Sequence, residues 1–183
     1  MRELVLGGAR SGKSAYAQQR AAASGLPVTL IVTGSAGDAE MAERIAHHRA
    51  TRPADWRVVE APLALAATLR AEAAPGRCVI VDCMTLWLTN FLAPVDAGTD
   101  FPAALPQPWC DARAVLLSTL PALPGEILLI SNEVGLGIVP LGSLARLFRD
   151  EAGRLNQDLA AACERATFVA AGLPLALKTP QHC

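Results

Sequence analysis

The chain has 183 residues, 52% of them hydrophobic and 4% aromatic, with a net charge of −1 at neutral pH. That length supports one well-cored domain and is short for two large ones. The charge balance leaves no basic footprint for nucleic acid or an anionic membrane, and few aromatics are available to stack on single strands.

Arg2–Leu6 reads as a short apolar strand and Ser14–Ser24 as an Ala-rich helix. Between them, Gly7-Gly-Ala-Arg-Ser-Gly-Lys-Ser14 fits the phosphate-binding pattern G-x-x-x-x-G-K-[ST] in its strand–loop–helix setting. Glycines there let successive backbone N–H groups converge on a phosphate chain, and the helix N-terminus adds partial positive charge. Lys13 is placed to neutralise the β- and γ-phosphates, and the Ser14 hydroxyl to ligate Mg²⁺. The pattern points to a nucleoside triphosphate.

Gly25–Pro27 is a turn and Val28–Thr33 a second buried strand, followed by the small-residue loop Gly34–Gly37 at the strand end where ligands of open α/β sheets sit. Asp38 is a candidate N-cap for a polar helix running to about Arg52, which Pro53 ends. Trp56–Glu60 reads as a strand, and Pro62 opens a helix to about Ala73. Cys78–Asp82 is an apolar strand closed by a carboxylate, the form of a second nucleotide motif, with Asp82 placed to hold the Mg²⁺ that Ser14 touches. An ordinary loop-facing aspartate is the alternative. Thr85–Leu92 reads as helix, and Ala93–Pro108, carrying Pro94, Pro102, Pro106 and Pro108, as an irregular excursion. A helix at Trp109–Leu120, a strand at Glu126–Ser131, a glycine-bearing loop at Asn132–Gly142 and a long helix from Ser143 to about Arg165 follow. Thr167–Ala171 and Leu173–Leu177 form a last strand pair. We expect one α/β domain over residues 1–178, with a mainly parallel sheet covered on both faces, and a tail at residues 179–183.

The five cysteines form no C-x-x-C pair, so neither a zinc site nor a disulfide framework is implied, and Cys78 and Cys83 read as small buried hydrophobes. No uncharged apolar run reaches the ~18 residues of a membrane helix, and the phosphate loop begins too early to leave room for a signal peptide. The expectation is a cytoplasmic protein bound to neither nucleic acid nor membrane.

His47 and His48 lie in the polar helix, where Met41, Ile45 and His48 share one inward stripe and His47 shares its side with Glu40, Glu43 and Arg44. Desolvation keeps an imidazole on a sheltered stripe neutral, as a phosphorus nucleophile requires. By spacing alone, a core or surface histidine pair is the favoured reading. Arg52 can grip a phosphate or cap a helix, and Trp56 can pack on a base or in the core. Asn132-Glu-Val-Gly-Leu-Gly-Ile-Val-Pro140 stands where a γ-phosphate sensor or acceptor-orienting group sits, or forms a glycine-permitted turn with Glu133 capping the next element. Arg149 and Arg154 on the long helix are either members of a salt-bridged solvated face or phosphate and subunit contacts.

Taken together, the phosphate loop, Glu40–His48, Arg52-Pro53 with Trp56, Asn90, Asn132–Pro140 and the Ala145–Gln157 helix resemble the bifunctional adenosylcobinamide kinase/adenosylcobinamide-phosphate guanylyltransferases of cobalamin biosynthesis. The resemblance runs from Arg2 to Lys178. It implies a RecA-like P-loop fold, a homotrimer, and two reactions on adenosylcobinamide: phosphorylation by ATP or GTP, then GMP transfer from GTP through a guanylyl-histidine. On that basis Lys13 and His48 are the catalytic candidates, with His47 in reserve. The nucleotide contacts are Gly7, Gly8, Ala9, Arg10, Ser11, Gly12, Lys13, Ser14, Ser35, Ala36, Gly37, Arg52, Pro53, Ala54, Asp55, Asp82 and Thr85, and the metal contacts Ser14 and Asp82. A P-loop kinase without the covalent histidine is the rival. A regulatory GTPase is disfavoured because no guanine-reading Asn-Lys-x-Asp motif is present.

Overall fold

A computed structural model describes residues 1–34, 55–92 and 104–180. Its strands are β1 (Arg2–Gly7), β2 (Val28–Val32), β3 (Arg57–Glu60), β4 (Cys78–Asp82), β5 (Glu126–Asn132), β6 (Arg165–Ala170) and β7 (Leu173–Lys178). Its helices are α1 (Lys13–Ala23), α2 (Leu65–Glu72), α3 (Met84–Leu92), α4 (Gln107–Thr119) and α5 (Ser143–Ala162), with a 3₁₀ turn at Leu120–Ala122. The strands form one sheet in the order β3-β2-β4-β5-β1-β6-β7. All neighbours are parallel except β6 and β7, which pair antiparallel. This is the α/β fold with a mainly parallel sheet that the alternating elements led us to expect.

The strands read as unbroken apolar runs because both faces of the sheet are covered. Alternation divides each run between two cores. Cys78, Ile80, Leu128 and Ile130 face α1, whose Ala17 and Ala21 allow the helix to lie close. Val79, Val81, Ile127 and Leu129 face the opposite core, built by α2 to α5 around Leu69, Trp87, Leu116 and Leu155. Trp87, Phe91 and Trp109 meet there in edge and tilted geometry, with ring centroids 4.9–5.7 Å apart. The Trp109 indole N–H is taken by Glu151 Oε1 at 2.9 Å, so the buried ring leaves no stranded donor.

Several boundaries depart from the sequence reading, among them the start of α2, at Leu65 and not at Pro62. Helix α4 begins at Gln107, taking in Pro108, because proline is tolerated in the first turn where no helical N–H bond is lost. Helix α5 ends at Ala162, three residues early, although no glycine or proline marks the place. The stop is tertiary. Cys163 turns extended, the Glu164 N–H donates to Arg2 O at 3.1 Å, and Lys178 Nζ donates to the carbonyls of Ala160, Ala161 and Cys163. A cation from β7 thus caps the helix terminus, favoured by the dipole. Glu164 also receives the Arg2 amide and Nε, at 2.6 and 3.0 Å, which fixes where β6 enters beside β1.

Candidate functional site

At the C-terminal ends of the parallel strands the chain leaves Gly7 and enters the phosphate loop. Three features give that loop its shape. The Ser11 N–H closes back on Gly8 O at 3.2 Å, Arg10 takes a positive φ of 56°, and Gly12 takes φ 96°. Helix α1 then opens at Lys13 with no side-chain cap and no acid in its first turn, so its leading N–H groups stay available for an anion. Lys13 is 8% exposed, and its Nζ donates to Gly8 O at 3.0 Å, holding the cation inside the loop. The Ser11 hydroxyl is buried and has no hydrogen-bond partner among the described residues, a spare donor within a phosphate-shaped turn.

The β6–β7 turn buttresses this loop from the side. The Gly172 N–H donates to Ser11 O at 2.8 Å. A Cβ on Gly12 would lie 2.9 Å from the Gly172 Cα, and one on Gly7 would lie 2.5 Å from Val169 O and 2.4 Å from Ser11 Oγ. Gly8 has nothing within 4 Å of a hypothetical Cβ. Two of the motif's glycines are therefore required by close backbone approach, while the third borders the open space of the cradle.

On the other side of the loop the order β4-β5-β1 sets the ends of three strands together. Asp82 closes β4, and the peptide to Cys83 is cis. Beyond the last ladder bonds, side chains continue the stitching. Thr33 Oγ1 donates to Cys83 O at 2.6 Å and accepts the Cys83 N–H at 3.0 Å. Thr85 Oγ1 lies 3.0 Å from Cys83 Sγ and accepts from Asn132 Nδ2 at 2.9 Å. Asn90 Nδ2 donates to Thr33 O at 2.7 Å and Pro62 O at 2.9 Å. Burial pushes the Cys83 thiol pKa up, with neighbouring Asp82 acting in the same direction, so this cysteine is a packed polar neighbour and not a thiolate.

Gly7, Gly8, Ala9, Arg10, Ser11, Gly12, Lys13, Ser14, Asp82 and Thr85 are thus gathered at the carboxyl ends of the central strands, although Thr85 is buried under the strand ends. Asp55 is not gathered there. It precedes β3 at the amino-terminal end of the strands, beside Pro27, Thr29, Arg57 and Arg77. Trp56 packs against the core that contains Ala17 and Ile80 and does not face the cradle. Arg149 pairs with Asp150, and Arg154 with the buried Glu151. Glu133 Oε1 takes the Gly135 N–H at 2.5 Å, closing its own turn, while the following helix has no side-chain cap. His47, His48, Ser35, Ala36, Gly37, Arg52, Pro53 and Ala54 lie outside the described residues. Asn132, part of the stretch offered from the sequence for a γ-phosphate sensor or acceptor-orienting group, stands beside Gly7 in register, where the insertion of β5 between β1 and β4 brings it.

This fold and loop define a P-loop nucleotide-binding protein. Its fold is similar to that of the crystal structure of the RadB recombinase (TM-score 0.50, 15% identity, 91% of this chain and 73% of that one). Residues 3–177 match the family model described as cobinamide kinase / cobinamide phosphate guanyltransferase, and the chain belongs to that family. It is 58% identical, over 97% of its length and 98% of theirs, to the bifunctional adenosylcobalamin biosynthesis protein CobP of Pseudomonas aeruginosa. It is 40% identical to the CobU proteins of Salmonella typhimurium and Escherichia coli, over 96% of this chain and 98% of each relative. Among the described residues, no helix is long and apolar enough to cross a membrane.

Proposed function

We propose that this chain phosphorylates adenosylcobinamide with ATP or GTP and then transfers GMP from GTP to the product, through a covalent histidine. The observation that carries the reading is a buttressed phosphate loop holding one buried lysine, in a chain of the cobinamide kinase / cobinamide phosphate guanyltransferase family.

The triphosphate takes the N–H groups of Gly8–Ser14, and Lys13 exchanges Gly8 O for phosphate oxygens. In the first reaction the acceptor's hydroxyl oxygen forms a bond to the γ-phosphorus while the bond to the β–γ bridging oxygen breaks. The nucleoside diphosphate leaves and the hydroxyl proton is lost. In the second, a neutral His48 nitrogen attacks the α-phosphorus of GTP and pyrophosphate leaves. A phosphate oxygen of the first product then displaces that nitrogen, giving adenosylcobinamide-GDP and restoring the imidazole. Dividing the transfer over a phosphoramidate replaces one difficult displacement by two easier ones.

Ser14 and Asp82 offer a hydroxyl and a carboxylate, hard oxygen donors that suit Mg²⁺. Among the described residues no group of three or more His, Cys, Asp or Glu forms a closed cage. Such a metal draws its remaining ligands from phosphates and water, as Mg²⁺ does at NTP sites, and when bound it neutralises phosphate charge. The proposal also places the enzyme in the cytoplasm as a homotrimer. Support for assembly comes from the apolar side chains of Leu136, Ile138, Leu141, Leu173, Leu175 and Leu177, all exposed in the single chain. Sedimentation at three times the 19.1 kDa chain mass is expected, and a monomer would remove that part.

The deciding experiment incubates the protein with GTP labelled on its α-phosphate. An acid-labile, base-stable adduct on the peptide that carries His48 is expected. Phosphorylation of adenosylcobinamide without any adduct would leave a simple kinase. An adduct that survives in His48→Ala and vanishes in His47→Ala would move the nucleophile by one residue.

A further inference from the structure

We infer that Asn132 is a catalytic residue of the phosphoryl-transfer step, its side-chain amide donating to the γ-phosphoryl oxygen of the bound triphosphate. The inference rests on the kinase half of the reading above.

Placement comes first. Strand β5 lies between β1, which delivers the phosphate loop, and β4, which delivers Asp82. In register Asn132 stands beside Gly7, and Ile130 stands beside Asp82, so β5 runs two residues past the carboxylate toward the phosphates. The Glu133 N–H donates to Gly7 O at 3.0 Å, tying the peptide after Asn132 to the first glycine of the loop. Ligands of open α/β sheets bind outside the carboxyl ends of the strands, and here the central end belongs to Asn132.

The second argument is how firmly this residue is held. Asn156, only 6% exposed in the middle of α5, accepts from Ser131 Oγ at 2.6 Å and donates to Asn132 O at 3.2 Å. A buried amide between Leu155 and Leu159 costs stability unless its polar atoms are matched, and both of these bonds go to the end of β5. The backbone of Asn132 is therefore clamped from α5 and from the phosphate loop at once. Its side chain is aimed by Thr85, whose hydroxyl accepts one Nδ2 proton at 2.9 Å. An amide nitrogen carries two protons, and the second is the one we assign to the phosphoryl oxygen. A donor fixed before the substrate arrives needs no reorganisation as charge shifts in the transition state.

The test compares wild type with Asn132→Ala and Asn132→Asp in three measurements: affinity for GTP and GDP, phosphoryl transfer to adenosylcobinamide, and labelling by α-labelled GTP. In Asn132→Ala, GDP affinity should stay within about twofold while GTP affinity falls about tenfold, the worth of one charge-assisted hydrogen bond. The rate of phosphoryl transfer at saturating GTP should fall on the order of 100-fold, the usual effect of deleting one preorganised donor. Guanylyl labelling should change far less, because it acts on the α-phosphate. Asn132→Asp keeps the shape, with the Thr85 hydroxyl turned to donate where it accepted, but aims a carboxylate at the phosphoryl group, so it should be at least as impaired. It decides the matter should the alanine variant fail to fold. Equal weakening of GTP and GDP, or an unchanged transfer rate, overturns the inference. If wild type transfers nothing to adenosylcobinamide, the functional reading fails instead, and the GTP-to-GDP affinity ratio still decides whether Asn132 meets the γ-phosphoryl group.

Discussion

Two glycines of the phosphate loop should fail in different ways when each acquires a methyl group. Gly12 sits at φ 96°, and its absent Cβ would lie 2.9 Å from the Gly172 Cα. The atom in the way is backbone, so Gly12→Ala must push the β6–β7 turn aside and break the 2.8 Å bond from Gly172 N–H to Ser11 O. A left-handed alanine costs about 1–2 kcal/mol. The lost hydrogen bond adds about 1 kcal/mol. A total of about 2–3 kcal/mol corresponds to a drop in Tm of roughly 4–12 °C for a domain of this size. Gly8→Ala meets nothing within 4 Å and should melt like wild type. Its methyl group enters the space of the phosphates, so it should lose the rise in Tm that nucleotide gives wild type by binding only the folded state. Thermal unfolding with and without GTP reads both effects. A Gly12→Ala protein that melts with wild type and gains the same stabilisation from GTP would refute the buttress, and with it the reason for glycine at that position.

Lys13→Ala removes the one buried cation in the loop and should weaken triphosphate binding about 100-fold in titration calorimetry. Both activities should be lost together if one loop serves both. His48→Ala should abolish the guanylyl adduct and leave phosphorylation of adenosylcobinamide intact, measured on the same preparation. The Arg2 guanidinium, by hydrogen bonding to Glu164, holds that carboxyl at about 2, well below its ordinary range. Because the folded value is depressed, the stabilisation is present above pH ~4.5 and fades as pH falls toward 2. The pair is partly exposed, with the Glu164 side chain at 35%, so solvent screening leaves about 1 kcal/mol, seen as a flatter acid limb of the stability curve in Glu164→Gln. Burial pushes Cys78 up to about 11 and Cys163 up to about 12, so both thiols should resist alkylation at pH 8 until the chain is unfolded.

The phosphate loop is legible from the sequence because its requirements are local: a strand, a few glycines, a lysine and the start of a helix within a short stretch. The parallel sheet is legible for a similar reason, since alternating apolar runs and amphipathic helices leave few other ways to bury both sets. What escaped was decided by distant pairing. Asp55 was grouped with the nucleotide contacts by its neighbours along the chain, but it precedes β3 and so falls at the amino-terminal end of the parallel strands, away from the phosphate loop. The end of α5 carries no local stop and is set by Arg2 and Lys178, from opposite ends of the chain.

The same dependence reaches into the motif itself. Gly7 and Gly12 fit a pattern that many loops share, yet the contacts that demand glycine there come from Val169 and Gly172, contributed by the last two strands. Asn132 likewise gains its place only once β5 has slipped between the strands that carry the loop and the carboxylate. The sequence motif names the atoms that meet phosphate, but the rigidity with which they meet it is supplied by residues more than a hundred positions away. A substitution in the β6–β7 turn should therefore disturb nucleotide binding as surely as one in the loop. Ala171 and Gly172, both at positive φ, are where that dependence is most concentrated.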